Sequence, residues 1–134
     1  MNNQEIDTKY FCVMAEVGIT RIEDKYYLKN GVRSFSFRLR YPGESPTYIS
    51  LAGCRVELVL TDSLNKETYQ WSNSLAGEQQ LILEAGGLTG KISFPEIKSW
   101  DMPLGIHRGD LNIYDSDDFL ITYRTLEFEI VKND

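Results

Sequence analysis

The sequence predicts an all-β protein, an antiparallel sandwich of about seven to nine strands. Three observations support this prediction. Apolar residues recur at every second position from Arg33 onward, which is the period of a strand with one buried face. Turn-forming residues interrupt these runs at intervals of about 8 to 15 residues, as they do between the strands of a sandwich. The 134 residues contain no repeat and no linker, so we expect a single domain over residues 1–134.

Residues 1–22 permit three interpretations. Several of their apolar residues are spaced as on one face of a helix that Gly18 would end. Val13 and Ile19, however, favour extended structure. We prefer a strand that completes a sheet. A helix, or an arm that orders only on assembly, is the alternative.

Two central segments show the strand period most clearly. Phe35, Phe37 and Leu39 point to one face, and serine and arginine alternate with them up to the turn at residues 41–43. Residues 54–60 alternate in the same way. Both segments are predicted to be strands with one face in the core.

Three shorter segments continue the pattern. Residues 67–71 are rich in threonine and aromatic side chains, and a turn at Asn65 and Lys66 would pair them with the preceding strand. Residues 81–84 and 91–94 flank a glycine cluster. Such a cluster suits a turn, so we expect these two strands to be antiparallel neighbours.

The C-terminal strands are predicted to follow a loop that contains Pro95, Pro103 and Gly105. Proline and glycine interrupt strands, which is why the loop is placed there. Residues 110–114 would then form a hairpin with the last strand, joined to it by the turn at residues 115–118.

The last strand changes its phase along the sequence. Its apolar residues occupy the odd positions Phe119, Ile121 and Tyr123, and then the even positions that begin at Leu126. No glycine or proline lies between these two runs. We therefore predict a β-bulge or a crossing between sheets near residues 124–125.

Charge and composition argue against two classes of partner. The net charge is −6, from 14 basic and 20 acidic residues, whereas nucleic-acid binding needs a basic face. No apolar stretch approaches the length of a membrane span, about 18 residues. Residues 1–10 carry charges and precede no long apolar run, so we expect no signal peptide.

Residues that could form a catalytic or metal centre are sparse. His107 is the only histidine, no Gly-x-Ser-x-Gly elbow occurs, and we expect His107 to lie on the surface or in a loop. One histidine and the distant Cys12 and Cys54 do not make a zinc site, and both cysteines are predicted to be buried free thiols. We therefore expect no enzyme activity and no cofactor.

Two loops partly match ligand-binding motifs. The glycine run at residues 86–91 lacks the spacing of a phosphate loop, and Ile92 stands where that loop needs Ser or Thr. The aspartates of residues 115–118 resemble the start of a calcium loop, but its twelfth position is Leu126 rather than Glu. We interpret both segments as turns.

Aromatic side chains supply the candidate binding surface. Trp100 is the first choice, because residues 98–103 have the composition of a loop and loop aromatics often face partners. The alternative for Trp100 is a structural role as a lid over one end of the sandwich. The other candidates are Trp71, Tyr26 and Tyr114.

A longer pattern links these strands. Its segments are residues 26–31 leading to residues 35–39, Leu51-Ala52-Gly53 before residues 54–60, Gly90-Lys91-Ile92-Ser93-Phe94, Leu104-Gly105 and residues 110–114. Their order and spacing over residues 23–131 resemble a module of bacteriophage and prophage tail and baseplate proteins, similar to baseplate upper proteins. Residues 1–22 have no counterpart in that pattern.

The resemblance implies an immunoglobulin-like sandwich that serves as a non-catalytic assembly unit. Its partners would be other virion or tail proteins and further copies of the same chain, and its location would be the virion, assembled in the host cytoplasm. The alternative is a stand-alone module that binds glycan or protein ligands through exposed aromatics. An enzyme with a carboxylate pair that the sequence does not reveal is the third hypothesis.

Overall fold

The computed structural model describes residues 11–41, 47–95 and 102–132. Within them the chain forms eleven strands and two short 3-10 segments, Gly77–Gln79 and Glu84–Gly87. The strands are β1 (Cys12–Val17), β2 (Ile19–Ile22), β3 (Lys25–Lys29), β4 (Phe35–Tyr41), β5 (Thr47–Tyr48), β6 (Arg55–Asp62), β7 (Thr68–Ser72), β8 (Ile82–Leu83), β9 (Lys91–Phe94), β10 (Gly105–Tyr114) and β11 (Leu120–Val131). The all-β prediction is confirmed. The strand count exceeds the expectation because β5, with two residues, is too short to show a period, and because residues 12–22 form two strands instead of one.

The strands form two sheets. The five-stranded sheet has the order β1-β4-β9-β8, with β5 paired to β4, and the six-stranded sheet has the order β2-β3-β11-β10-β6-β7. The described strand pairs are antiparallel except β3 with β11, which is parallel. The two layers make a β-sandwich, as predicted, but one of them is mixed. The immunoglobulin-like strand arrangement stays a prediction.

Buried side chains from both sheets form the core. Phe35 and Phe94 of the five-stranded sheet have ring centroids 4.4 Å apart, and Trp71 of the six-stranded sheet packs edge-on against Phe94 at 5.9 Å. The face predicted for β4 is confirmed, since Phe37 and Leu39 are also completely buried. Burial of this kind stabilises a fold by roughly 25 cal/mol per Å² of apolar surface.

The N-terminal segment is extended in the part that the structure describes. β1 pairs with β4 and completes the five-stranded sheet, which confirms the strand preference for residues 12–22; residues 1–10 lie outside the described residues. Gly18 does not end a helix. Its φ of +75° turns the chain from β1 into β2 of the other sheet, and a Cβ there would lie 2.3 Å from the Ser34 carbonyl oxygen.

Side chains of the six-stranded sheet reach the backbone of β1 and of the residue before it. The Tyr26 hydroxyl donates to the Val13 carbonyl oxygen at 2.8 Å, and the Arg124 guanidinium donates to the Phe11 carbonyl oxygen. An edge strand offers such carbonyl groups as acceptors to an added strand. Because the Val13 acceptor is already occupied, this part of the β1 edge is less available to an added strand.

The glycine cluster connects β8 and β9, which pair antiparallel as predicted. β8 is shorter than the predicted strand, because the chain enters a 3-10 segment at Glu84. Gly90 has a φ of +73°, and a Cβ at this position would lie 2.5 Å from the Leu39 carbonyl oxygen. Both the backbone conformation and the available space therefore require glycine at residue 90.

β10 begins at Gly105, before the predicted start at residue 110. The expectation that Gly105 and His107 lie in a loop or on the surface is wrong. His107 is completely buried, with Nδ1 3.1 Å from the Gly105 carbonyl oxygen. Pairing with β6 on one side and β11 on the other holds this segment extended despite its glycines.

The predicted bulge in β11 is present at a different residue. β10 and β11 stay in register at residues 124–125, and the register shifts at Ile121, next to the pair of Tyr114 and Leu120. The prediction placed the bulge wrongly because it assumed that every apolar residue faces the core. Tyr123 instead faces solvent.

Cys12 and Cys54 are free thiols, as predicted, but both are half-buried rather than buried. Burial raises the pKa of the Cys54 thiol. A thiol with a raised pKa carries little thiolate at neutral pH and reacts slowly. Cys54 is therefore expected to behave as a small packing residue.

Candidate functional site

The six-stranded sheet turns one face to solvent, and its middle strands place polar and aromatic side chains there. Tyr123 of β11 pairs with Asn112 of β10, which pairs with Glu57 of β6. Cross-strand partners project from the same face of a sheet, so these side chains lie side by side. We call this group the outer-face site; it consists of Arg55, Glu57, Gln70, Asn112, Tyr114 and Tyr123.

The bulge at Ile121 sets the border of the outer-face site. Leu120 pairs with Tyr114 and Tyr123 pairs with Asn112, so Leu120 and Tyr123 share the solvent face. In a regular strand, residues three positions apart point to opposite faces. The extra residue therefore brings Leu120 next to the site.

Glu57 is the centre of the polar part of the site. Its carboxylate accepts hydrogen bonds from the Gln70 amide at 2.6 Å, the Asn112 amide at 3.1 Å and the Tyr114 hydroxyl at 3.4 Å. The Arg55 guanidinium lies 3.9 Å from the same carboxylate. Because hydrogen bonds to an ionised acceptor are among the stronger ones, Glu57 holds these neighbours in defined orientations.

Arg55 joins the polar part of the site to the β10–β11 turn. Its guanidinium lies 3.9 Å from the centroid of the Tyr114 ring and donates to the Asp118 carboxylate at 2.8 Å. The hydrogen bond to Asp118 raises the pKa of Arg55. One face of the Tyr114 ring is thus covered by a cation.

Three apolar side chains are exposed where β10 and β11 meet. The exposed fractions are 69% for Phe119, 50% for Leu120 and 58% for Tyr123. Tyr123 belongs to the outer-face site, and we call Phe119 and Leu120 the hairpin patch. Single exposed apolar residues are common on protein surfaces, whereas adjacent ones are more informative about binding.

The residues predicted as a binding surface are not brought together. Trp100 lies outside the described residues. Trp71 and Tyr26 are buried, because their positions on β7 and β3 face the core, so the expectation of a surface role is corrected for both. Tyr114 lies in the outer-face site, where it supports Arg55 and Glu57.

The acidic turn serves to close the β10–β11 hairpin. One oxygen of the Asp115 carboxylate accepts hydrogen bonds from the backbone N–H groups of Asp117 and Phe119, at 2.9 and 3.0 Å. The carboxylate of Asp118 is engaged by Arg55. In the part of the chain that the structure describes, no cluster of three or more His, Cys, Asp or Glu side chains is arranged to hold a metal ion. The same part contains no helix that is long and apolar enough to cross a membrane.

Glu57, Gln70, Asn112 and Tyr123 are site residues that were not predicted from the sequence. The only feature of the sequence that points to these residues is that they are polar or aromatic and lie on predicted strands. Glu57 and Asn112 occupy positions that alternate with buried apolar residues. The alternation indicates that these residues face solvent, but it does not indicate which of them are neighbours.

Comparison of the chain with protein-family models and with curated proteins finds no match.

Proposed function

We propose that this protein is a non-catalytic structural and assembly module that acts through protein–protein contacts. The resemblance of residues 23–131 to phage tail and baseplate modules suggests the setting, a phage or prophage tail or baseplate. The observation that most supports an assembly role is the hairpin patch, in which Phe119 and Leu120 are both at least half exposed.

The hairpin patch has the composition of a contact surface. Adjacent exposed apolar side chains cost solubility unless they are covered by a partner, and they commonly mark interaction sites. The neighbouring acidic turn of residues 115–118, together with the net charge of −6, would keep unassembled subunits soluble. An apolar centre with a charged rim is typical of protein interfaces.

Two of the sheet edges, at β1 and β7, have backbone acceptors that are already occupied. On β1, the Val13 carbonyl oxygen already accepts from Tyr26. Beside β7, the backbone N–H of Leu81 donates to the Ser72 carbonyl oxygen at 3.1 Å, and Ser72 also forms a bridge with Gln80. Assembly through the hairpin patch is therefore favoured over strand addition at these two edges.

The oligomeric state of the full chain tests this proposal. We expect light scattering after size exclusion to give the mass of a closed oligomer that resists dilution. The double variant Phe119→Ser and Leu120→Ser should shift that mass to the monomer, because the apolar area that drives association is lost.

The matched control is the double variant Leu64→Ser and Leu88→Ser. Both leucines are also highly exposed, at 85% and 66%, but they lie in turns away from the hairpin patch. This control should leave the mass unchanged. A wild-type chain that stays monomeric at every concentration would contradict self-assembly, and equal effects of the two double variants would contradict the role of the hairpin patch.

A further inference from the structure

We propose that the outer-face site binds a neutral oligosaccharide. Tyr123 would provide the platform on which a sugar ring stacks, and the amides of Asn112 and Gln70 would bind its hydroxyl groups. This inference goes beyond the assembly role and does not depend on it.

The spacing of the site fits a short glycan. Tyr123, Asn112 and Glu57 lie in one cross-strand row on three neighbouring strands. Neighbouring strands are about 4.8 Å apart, so the row spans about 10 Å, which is close to the length of two sugar rings. Tyr123 stands at one end of this row, where the face of its ring offers a surface on which a pyranose ring stacks.

The amides are oriented for hydroxyl groups. A primary amide has two N–H donors and a carbonyl acceptor, and the Asn112 and Gln70 amides each use an N–H on Glu57. Each amide thus retains a second N–H and its oxygen for a ligand. Neighbouring sugar hydroxyls need such donor and acceptor pairs, because each hydroxyl both donates and accepts. Fixing the amides before binding lowers the entropic cost of the complex.

The charges of the site favour a neutral ligand. The Glu57 carboxylate has Arg55 at 3.9 Å, and Arg55 in turn donates to Asp118 at 2.8 Å. An anionic or cationic ligand would have to compete with these ion pairs. A sugar would instead contact the exposed ring of Tyr123 through its C–H groups, since tyrosine offers a large apolar ring with one polar end.

The test is a titration of the intact ¹⁵N-labelled chain, followed by amide chemical shifts. The probes are glucose, galactose, N-acetylglucosamine, cellobiose, lactose and chitobiose, each up to about 10 mM, which covers millimolar affinity. We expect at least one disaccharide to shift the amide signals of β6, β10 and β11 around the outer-face site. Tyr123→Ala should weaken that binding about tenfold or more, as loss of a central aromatic contact does.

Tyr48→Ala is the matched control, because Tyr48 is an exposed tyrosine paired to β4 in the other sheet. It should leave the affinity within about twofold, since surface changes away from a site have small effects.

The proposal is overturned if none of the six sugars shifts these signals, or if Tyr123→Ala binds as tightly as the wild type. It is also overturned if Tyr123→Ala lowers the mass of an oligomer, because another chain would then cover this face. None of these results would change the effect of Phe119→Ser and Leu120→Ser, which tests assembly separately.

Discussion

At the scale of single residues, Tyr26 shows how a polar tip determines the role of an aromatic side chain. Its ring lies in the core, 5.5 Å from that of Phe128, and its hydroxyl donates to the Val13 carbonyl oxygen at 2.8 Å. A tyrosine in a strand can be either an exposed ring or a buried ring with one hydrogen bond. The acceptor here lies in the other sheet, so the sequence around Tyr26 does not reveal it.

Tyr26→Phe is expected to destabilise the protein by about 1 to 2 kcal/mol, because the buried Val13 carbonyl oxygen loses this donor. The measurement is the free energy of unfolding from urea denaturation at pH 7. The control Tyr123→Phe removes a hydroxyl group from an exposed ring and should change that energy by less than about 0.5 kcal/mol. Equal effects of the two variants would contradict the structural role of the Tyr26 hydroxyl.

The buried Tyr26 hydroxyl also predicts that stability depends on pH. Burial raises the pKa of Tyr26, so the folded protein keeps the phenol neutral where the unfolded chain, with a pKa of about 10, begins to ionise. The stability from neutral Tyr26 is fully present below about pH 10 and is lost as the pH rises further. The difference in unfolding free energy between the wild type and Tyr26→Phe should therefore shrink above about pH 10. A constant difference between pH 8 and pH 11 would contradict the raised pKa.

At the scale of elements, bulges and turns determine which side chains a strand exposes to solvent. The bulge at Ile121 lets Leu120 and Tyr123 share one face of β11. The chain between β8 and β9 is equally constrained, since Gly90 packs against the backbone of β4 at Leu39. Both irregular sites were predicted, but the bulge lies at another residue of β11 than predicted, and the conformation at Gly90 depends on β4, which is distant in sequence.

Two glycines of the β8–β9 connection allow the cost of a left-handed backbone conformation to be measured apart from the cost of steric crowding. Gly86 and Gly90 have similar φ values, +68° and +73°. A Cβ added to Gly86 would meet no neighbouring heavy atom within 4 Å. A Cβ added to Gly90 would lie 2.5 Å from the Leu39 carbonyl oxygen. Gly86→Ala should cost about 1 to 2 kcal/mol, the strain of a left-handed alanine. Gly90→Ala should cost more than about 3 kcal/mol, because a backbone atom cannot move aside easily. Urea denaturation followed by circular dichroism measures both, and equal costs would contradict the predicted crowding at Gly90.

At the scale of the whole molecule, the two sheets are joined by the core and by polar contacts between them. Trp71 of one sheet packs against Phe35 and Phe94 of the other. Tyr26 and Arg124 reach from the six-stranded sheet to the backbone at Val13 and Phe11. We expect such a structure to unfold as one cooperative unit, in line with the prediction of a single domain.

A variant with Trp71 as its only tryptophan tests this cooperativity. In a Trp100→Phe background, the fluorescence of Trp71 reports the packing of the two sheets, while far-ultraviolet circular dichroism reports the strands. We expect both signals to give the same urea midpoint. Adding Phe94→Ala should lower both together, at a cost of about 3 to 5 kcal/mol for the lost ring. A fluorescence transition that precedes the loss of strands would show that the sheets separate before they unfold.

The class of fold and most of the strands follow from local patterns in the amino-acid sequence. Alternation is a local property, so the strands predicted up to the turn at residues 41–43 and over residues 54–60 could be assigned from their own side chains, and they match β4 and β6 closely. Turn residues are also local, which is why the turn at residues 115–118 and the glycine connection were found. The prediction failed where pairing overrides local preference, as at Gly105, which pairs with β11, and at His107, which pairs with both β6 and β11.

Which solvent-facing side chains are neighbours depends on how the strands pair in three dimensions. Glu57 lies 55 residues before Asn112, and the register of β6, β10 and β11 places both of them in one row with Tyr123. A shift of that register by one residue would turn each side chain to the other face, so the site depends on long-range pairing that no local pattern encodes. Trp71 and Tyr26 could be recognised from the sequence as aromatic residues on strands. Their burial depends on how the two sheets pack against each other, which no local pattern encodes.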